Sequence, residues 1–167
     1  VVLVRETAAQ DWQALRDIRL AALQDAPDAF ASTYAEQAAF TEADWQDRIS
    51  RGGTFLAYVP EVSACEPAGL AGGFLREERP GTVALISMFV RPQARGRQVG
   101  EALIAAVAEW GRARQATTID LWVTETNSPA RLLYERCGFS LTGERQPLPS
   151  NPAVIEVAMA RPLSPVR

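Results

Sequence analysis

A chain of 167 residues with 47% hydrophobic and 22% charged side chains can bury a core without metal or disulfide staples, and its composition matches a globular protein rather than a disordered or membrane chain. Its net charge of −3 lacks the basic footprint that phosphate-backbone binding needs, which argues against a nucleic-acid partner. Histidine is absent, so the commonest general base and metal ligand are gone: any proton acceptor is a carboxylate or water, and no metal is expected.

Residues 1–5 form a short apolar run suited to a strand. No charged leader with an apolar stretch behind it opens the sequence, and no apolar run approaches the ~18 residues that cross a bilayer; the expectation is a cytoplasmic protein with no membrane partner. Thr7, Ala8, Ala9 and Gln10 read as a capping box that starts a helix. Trp12, Leu15 and Ile18 follow at helical spacing until Asp25, Ala26, Pro27 and Asp28 break it, and residues 29–40 are poorly periodic. Thr41 and Asp44 repeat the capping logic, Trp45 and Ile49 share a face, and Gly52 and Gly53 end that helix.

Residues 54–59, 68–76 and 82–90 predict three consecutive antiparallel strands, joined by a turn around Cys65 and a second at Pro80 and Gly81. Residues 99–114 align Leu103, Ile104, Val107 and Trp110 in one stripe, an amphipathic helix docked on the sheet, with a strand over 119–124 after it. That strand, loop, helix, strand order needs a parallel crossover. Residues 128–137 predict a short helix with Leu132, Leu133 and Cys137 at core spacing, stopped by Gly138. Residues 139–144 and 154–159 complete the sheet as a hairpin, interrupted across 146–152 where three prolines forbid ladder pairing. Cys65 and Cys137 fit neither a CxxC pair nor a metal spacing and read as free thiols of a reducing compartment. With no repeat or linker in view, residues 1–167 read as a single domain.

One segment concentrates positive charge. After the strand ending at Val90 come Arg91, Pro92, Gln93 and Ala94, and then Arg95, Gly96, Arg97, Gln98, Val99 and Gly100 open the helix. The first turn of a helix leaves backbone N–H groups unpaired and carries partial positive charge, so a small-residue loop there seats a diphosphate. Three arginines within seven residues of an acidic chain add a local anion site. The competing reading is a solvated basic loop.

The run from Ser87 through Pro92 and then Arg95 to Gly100 resembles the acetyl-CoA signature of the Gcn5-related N-acetyltransferases (GNAT), with Gln98 in place of the signature's central glycine. A second stretch, from Asn127, Ser128, Pro129 and Ala130 through Tyr134 to Gly138 and Phe139, is similar to that family's downstream signature. The resemblance implies an α/β (α+β) fold: a mixed, mostly antiparallel sheet of about seven strands flanked by about four helices, with one parallel βαβ crossover at a splayed cofactor cleft. It also implies acetyl-CoA as co-substrate, held by Met88, Phe89 and Val90 as an added strand, by Arg95, Gly96, Arg97, Gln98, Val99, Gly100 and Glu101 around the diphosphate, and by Asn127, Ala130 and Tyr134.

By the same resemblance Tyr134 is the general acid, because a phenol with a pKa of about 10 is protonated at neutral pH and can supply a departing thiolate. Packing in the core is its alternative role, as helix capping is for Asn127. Glu125, at the cleft mouth, is the nearest candidate base in sequence, with water the alternative. The acceptor site falls on the first helices and last hairpin, with Phe30 and Tyr34 as candidate substrate contacts beside Ser32 and the loop of residues 145–151. The expected function is acetyl transfer to the primary amine of a small molecule or peptide by direct attack in a ternary complex. The alternative is a catalytically silent CoA-binding sensor or interaction module. A homodimer is compatible with either.

Overall fold

The computed structural model describes residues 1–165. Its elements follow in the order β1 (Leu3–Glu6), α1 (Trp12–Asp25), α2 (Tyr34–Ala38), α3 (Glu42–Ser50), β2 (Thr54–Tyr58), β3 (Gly69–Leu75), β4 (Thr82–Val90), α4 (Val99–Arg112), β5 (Thr118–Thr124), α5 (Ser128–Arg136), β6 (Ser140–Leu148) and β7 (Asn151–Pro162). The strands form one sheet in the order β1-β2-β3-β4-β5-β7-β6. Alternation along each strand splits the apolar residues between two layers. Ile119, Leu121 and Val123 pack with Leu103, Ile104 and Val107 of α4. On the opposite face Leu56, Leu70 and Phe89 meet Leu15 and Ile18 of α1 and Trp45 and Ile49 of α3. Among the described residues no helix is long and apolar enough to cross a membrane.

Every neighbouring pair is antiparallel except β4 with β5, which run parallel and pair only at Thr82↔Thr118, Val83↔Ile119 and Ala84↔Asp120. Beyond Ala84 the two strands diverge. Between Gly72↔Ile86 and Leu70↔Phe89 the register shifts by one residue on β4, and Ser87 takes a left-handed φ of 61° at this bulge. Ile86 and Ser87 are therefore displaced from the regular alternation, as a bulge re-aims side chains. Asp120 secures the closed end: Arg76 Nε donates to both its oxygens at 2.8 and 3.0 Å, and Arg79 Nη1 donates at 3.3 Å.

Several sequence expectations are corrected. The start of α1 is organised by Asp11 rather than Thr7 and Gln10: Asp11 Oδ2 accepts from the Ala8 N–H at 2.7 Å, while Arg5 forks onto both oxygens at 2.8 Å. A carboxylate satisfies the helix-start donor and the guanidinium together, which a Gln amide does not; Thr7 instead donates to the Thr54 carbonyl. The expected helix count of about four agrees with the five α-helices among the described residues, the addition being α2, a five-residue helix too short to register as a period. In α5, Leu132 is 54% exposed and Tyr134 faces the core in its place, while Leu133 and Cys137 pack partly buried against the core as expected.

The final hairpin is also not interrupted. Arg145↔Val157, Gln146↔Glu156 and Pro147↔Ile155 continue the ladder, and only the turn at Pro149 and Ser150 lies outside both strands. Because β6 is the sheet edge, Pro147 can sit in it with its missing donor on the unpaired side.

Candidate active site

The parting of β4 from β5 creates a notch whose walls are the unpaired edge of residues 85–90 and the C-terminal half of β5. Met88 and Val90 point into the layer with α4, and Phe89 into the layer with α1. What these three present along the strand edge is therefore backbone. A chain laid in the notch meets main-chain donors and acceptors, as a strand added to a sheet edge does.

At the end of β4 the loop turns into α4 through two left-handed residues, Gly96 (φ 78°) and Gln98 (φ 64°, ψ 25°), and no side chain caps the N-terminus of α4. The missing cap leaves the first-turn amides of Val99, Gly100 and Glu101 without intrahelical partners, at the positive end of the helix dipole. The arginines differ in availability. Arg91 Nε donates to the Pro67 carbonyl at 2.8 Å, and Arg95 donates to Asp25 Oδ2 at 3.0 Å and to the Val90 carbonyl; Arg97 is exposed. Glu101 faces Arg136 of α5 at 3.4 Å, so its carboxylate ties the two helices together.

Gly100 has a packing reason as well. A Cβ there would lie 2.8 Å from Leu133 Cδ2, so the residue lets α5 approach α4. The sequence reading gave only approach to a phosphate as the cause.

These features fit a pantetheine arm and a diphosphate: a free strand edge, an uncapped helix start and turned amides lie in sequence along one path. The pattern described as Acetyltransferase (GNAT) family matches residues 12–139. The chain belongs to the GNAT acetyltransferase family. A mycothiol acetyltransferase from Salinispora arenicola is 36% identical over 119 residues, 67% of this chain and 38% of that enzyme. The chain therefore spans under two-fifths of that relative's length. The acetyltransferase of GNAT family from Streptococcus pneumoniae superposes with a TM-score of 0.78 at 17% identity, over 98% of this chain and 100% of that one. The PaiA N-acetyltransferase from Thermoplasma acidophilum, solved in complex with coenzyme A, gives a TM-score of 0.73 at 13% identity, over 97% and 99%. The last two show the shared fold.

Within this GNAT frame Tyr134 is 6% exposed and meets Phe139 edge-on at 5.8 Å between ring centroids. Burial, with a smaller contribution from the nearby Cys137 thiol, pushes its phenol well above the ordinary tyrosine range, so it stays protonated at neutral pH. Asn127 caps α5, its Oδ1 accepting from the Ala130 N–H at 3.3 Å; that bond uses the oxygen and leaves the amide N–H groups for another partner. Glu125 is less free than the sequence implied. Its carboxylate accepts from Arg145 of β6 and its carbonyl from Arg131.

Phe30 and Tyr34 are not brought together as a helical pair. Phe30 is buried and extended, before α2, with the Arg19 guanidinium 4.8 Å from its ring centre; Tyr34 is exposed at the first position of α2.

Glu156 escaped the sequence reading. It lies on β7 opposite Thr124, at the C-terminal end of β5, only 7% exposed, and accepts from Gln146 Nε2. Burial raises its pKa, and the Gln146 hydrogen bond opposes that rise. The adjoining segment closes over this end of the sheet: Thr124 Oγ1 donates to the Asp28 carbonyl and Ser150 Oγ to the Phe30 carbonyl, both at 2.6 Å. A Glu between Ile155 and Val157 reads locally as a solvated strand position. Its burial comes from contacts distant in sequence, and the only local hint was its place inside the apolar run of residues 153–160.

Proposed function

We propose that residues 1–167 form a single-domain N-acetyltransferase that moves an acetyl group from acetyl-CoA to a primary amine by direct attack in a ternary complex. The observation that supports this best is the notch beyond Ala84, which ends at the uncapped start of α4. A cytoplasmic location, where acetyl-CoA is available, follows from the same reading.

Bound acetyl-CoA supplies a thioester carbonyl ready for attack. The backbone of Met88, Phe89 and Val90 aligns the pantetheine arm, and the amides from Gly96 to Glu101 hold the diphosphate with Arg95 and Arg97 beside it. Asn127 and Ala130 line the far wall, and a strand N–H polarises the acyl oxygen as negative charge develops on it. The amine nitrogen bonds to the acyl carbon and loses one proton through water to Glu156. The C–S bond breaks, and Tyr134 protonates the departing sulfur. Glu156 suits the acceptor role better than Glu125, whose carboxylate is already bound by Arg145.

Thiol release from acetyl-CoA, followed against a panel of amines, tests the reading. Amine-dependent release is expected. Tight CoA binding with no release on any amine would instead support the silent sensor, the reading favoured by the departure at Gln98.

A further inference from the structure

Between α1, α3, β3 and β4 lies a cavity of about 380 Å³, lined by Leu15, Arg48, Leu70, Phe74, Ile86 and Ser87 among others. Ile86 and Ser87 are the second and third residues past the last parallel pair, at Ala84. The cavity therefore opens beside the start of the notch, from the face of the sheet opposite α4.

Arg48 lines this cavity and Arg19 lies behind its Ser87 wall, both without a carboxylate partner among the described residues. Arg19 is 5% exposed; its Nε donates to Gln37 Oε1 at 2.8 Å and its Nη1 to Ser87 Oγ at 3.3 Å, both neutral acceptors. Arg48 is half-buried, with its guanidinium 5.4 Å from the Trp45 ring centre and 5.9 Å from that of Phe40. Burial, and secondarily repulsion from Arg48, lowers the pKa of Arg19 to about 10, so it remains charged at neutral pH. Burial also lowers the pKa of Arg48, with repulsion from Arg51 next. Several other guanidinium groups have a carboxylate, Arg5 with Asp11, Arg76 with Asp120 and Arg145 with Glu125, and those that instead meet carbonyls, such as Arg91 and Arg131, are more exposed than Arg19. Two desolvated cations that repel each other beside an open cavity are costly unless an anion completes them.

We infer that this cavity is the acceptor subsite and that it selects amines bearing a carboxylate, the carboxylate lying against Arg48 and the Ser87–Arg19 pair while the amine reaches the notch. The inference rests on the acetyltransferase reading and narrows its substrate class. Phe74, Leu70 and Ile86 supply apolar wall for the carbon skeleton, and a polycationic amine is disfavoured.

The test uses glycine, β-alanine, γ-aminobutyrate and phenylalanine, each beside its carboxamide, so that the span between amine and carboxylate varies. Initial rates give the ratio of kcat/KM for acid over amide, and calorimetry on the CoA-loaded protein gives the ratio of affinities without turnover. At least one acid should exceed its amide tenfold. That ratio should collapse in R48Q and persist in R48K, with the KM for acetyl-CoA unchanged in both; melting temperatures show whether each variant is folded. Turnover with amides equal to or better than acids would overturn the subsite and leave the acetyltransferase standing. Absence of turnover on all amines would count against the acetyltransferase. In that case calorimetry still decides the subsite: tenfold tighter binding of an acid supports it, and equal binding overturns it.

Discussion

Gln98 occupies a left-handed backbone position where a side chain costs about 1 kcal/mol relative to glycine. Q98G should raise stability by roughly that amount without weakening acetyl-CoA affinity, as denaturant unfolding and calorimetry would show. A loss of affinity would mean that the Gln98 side chain itself contacts the ligand. Tyr134 is both a packed ring and the proposed acid, and Y134F separates the roles because it keeps the contact with Phe139. Turnover should drop about 100-fold, the lower range for a positioned acid, with cofactor binding unchanged; normal turnover would leave Tyr134 as a core residue.

Glu156 makes a pH argument available at the same scale. Its folded pKa is raised by burial, so the stability it contributes is full below the unfolded value of about 4.3 and is lost as pH rises through the folded value. E156Q should therefore melt higher than the parent at neutral pH, and its advantage should shrink as pH falls and the parent becomes neutral. If Glu156 takes the amine proton, the acidic limb of kcat/KM lies above the ordinary carboxylate range and is absent in E156Q. An unchanged limb would return the role to water.

Among the elements, β4, α4 and α5 were legible because each has its own local signal: a largely apolar run ending at Val90, a stripe through Leu103, Ile104 and Val107, and a cap at Asn127. The prolines of the last hairpin misled because tolerance for Pro147 depends on which strand is the edge, a property of the whole sheet. Likewise α2 holds only Tyr34–Ala38, and Thr33 as its cap carries more information than its composition. The acid candidate came from the resemblance carried by residues 127–139 and the phosphate-loop candidate from arginines and glycines at a helix start, whereas Glu156 and the Arg19–Arg48 pair depend on burial that only folding creates.

Gly100 tests the meeting of α4 and α5. G100V places carbon against Leu133 and should cost about 2 kcal/mol by overpacking, whereas in G100A the gain in helix propensity of about 1 kcal/mol offsets a small shift of a flexible leucine. Acetyl-CoA affinity measured on G100A then isolates the phosphate contact from the packing. A fall in affinity at unchanged stability identifies backbone approach to the diphosphate.

Across the whole molecule, the sheet consists of a four-stranded half, β1 to β4, and a three-stranded half, β5 with β7 and β6, linked by three parallel residue pairs. Asp120 reinforces that link, because Arg76 and Arg79 reach it from the far side of β4. D120A should destabilise the chain by about 3 kcal/mol, since it strands a largely buried guanidinium, and lower the melting temperature by about 10 °C at this size. A change under 2 °C would mean that water already solvates Arg76.

A seam fastened at one end and free at the other works like a clothes-peg, with Thr82, Val83 and Ala84 as the spring. The gape at the jaws is then set several residues away from whatever is gripped. If the chain transfers acyl groups as proposed, loosening the spring would let a wider acyl chain pass between the jaws without any change to the residues that touch it.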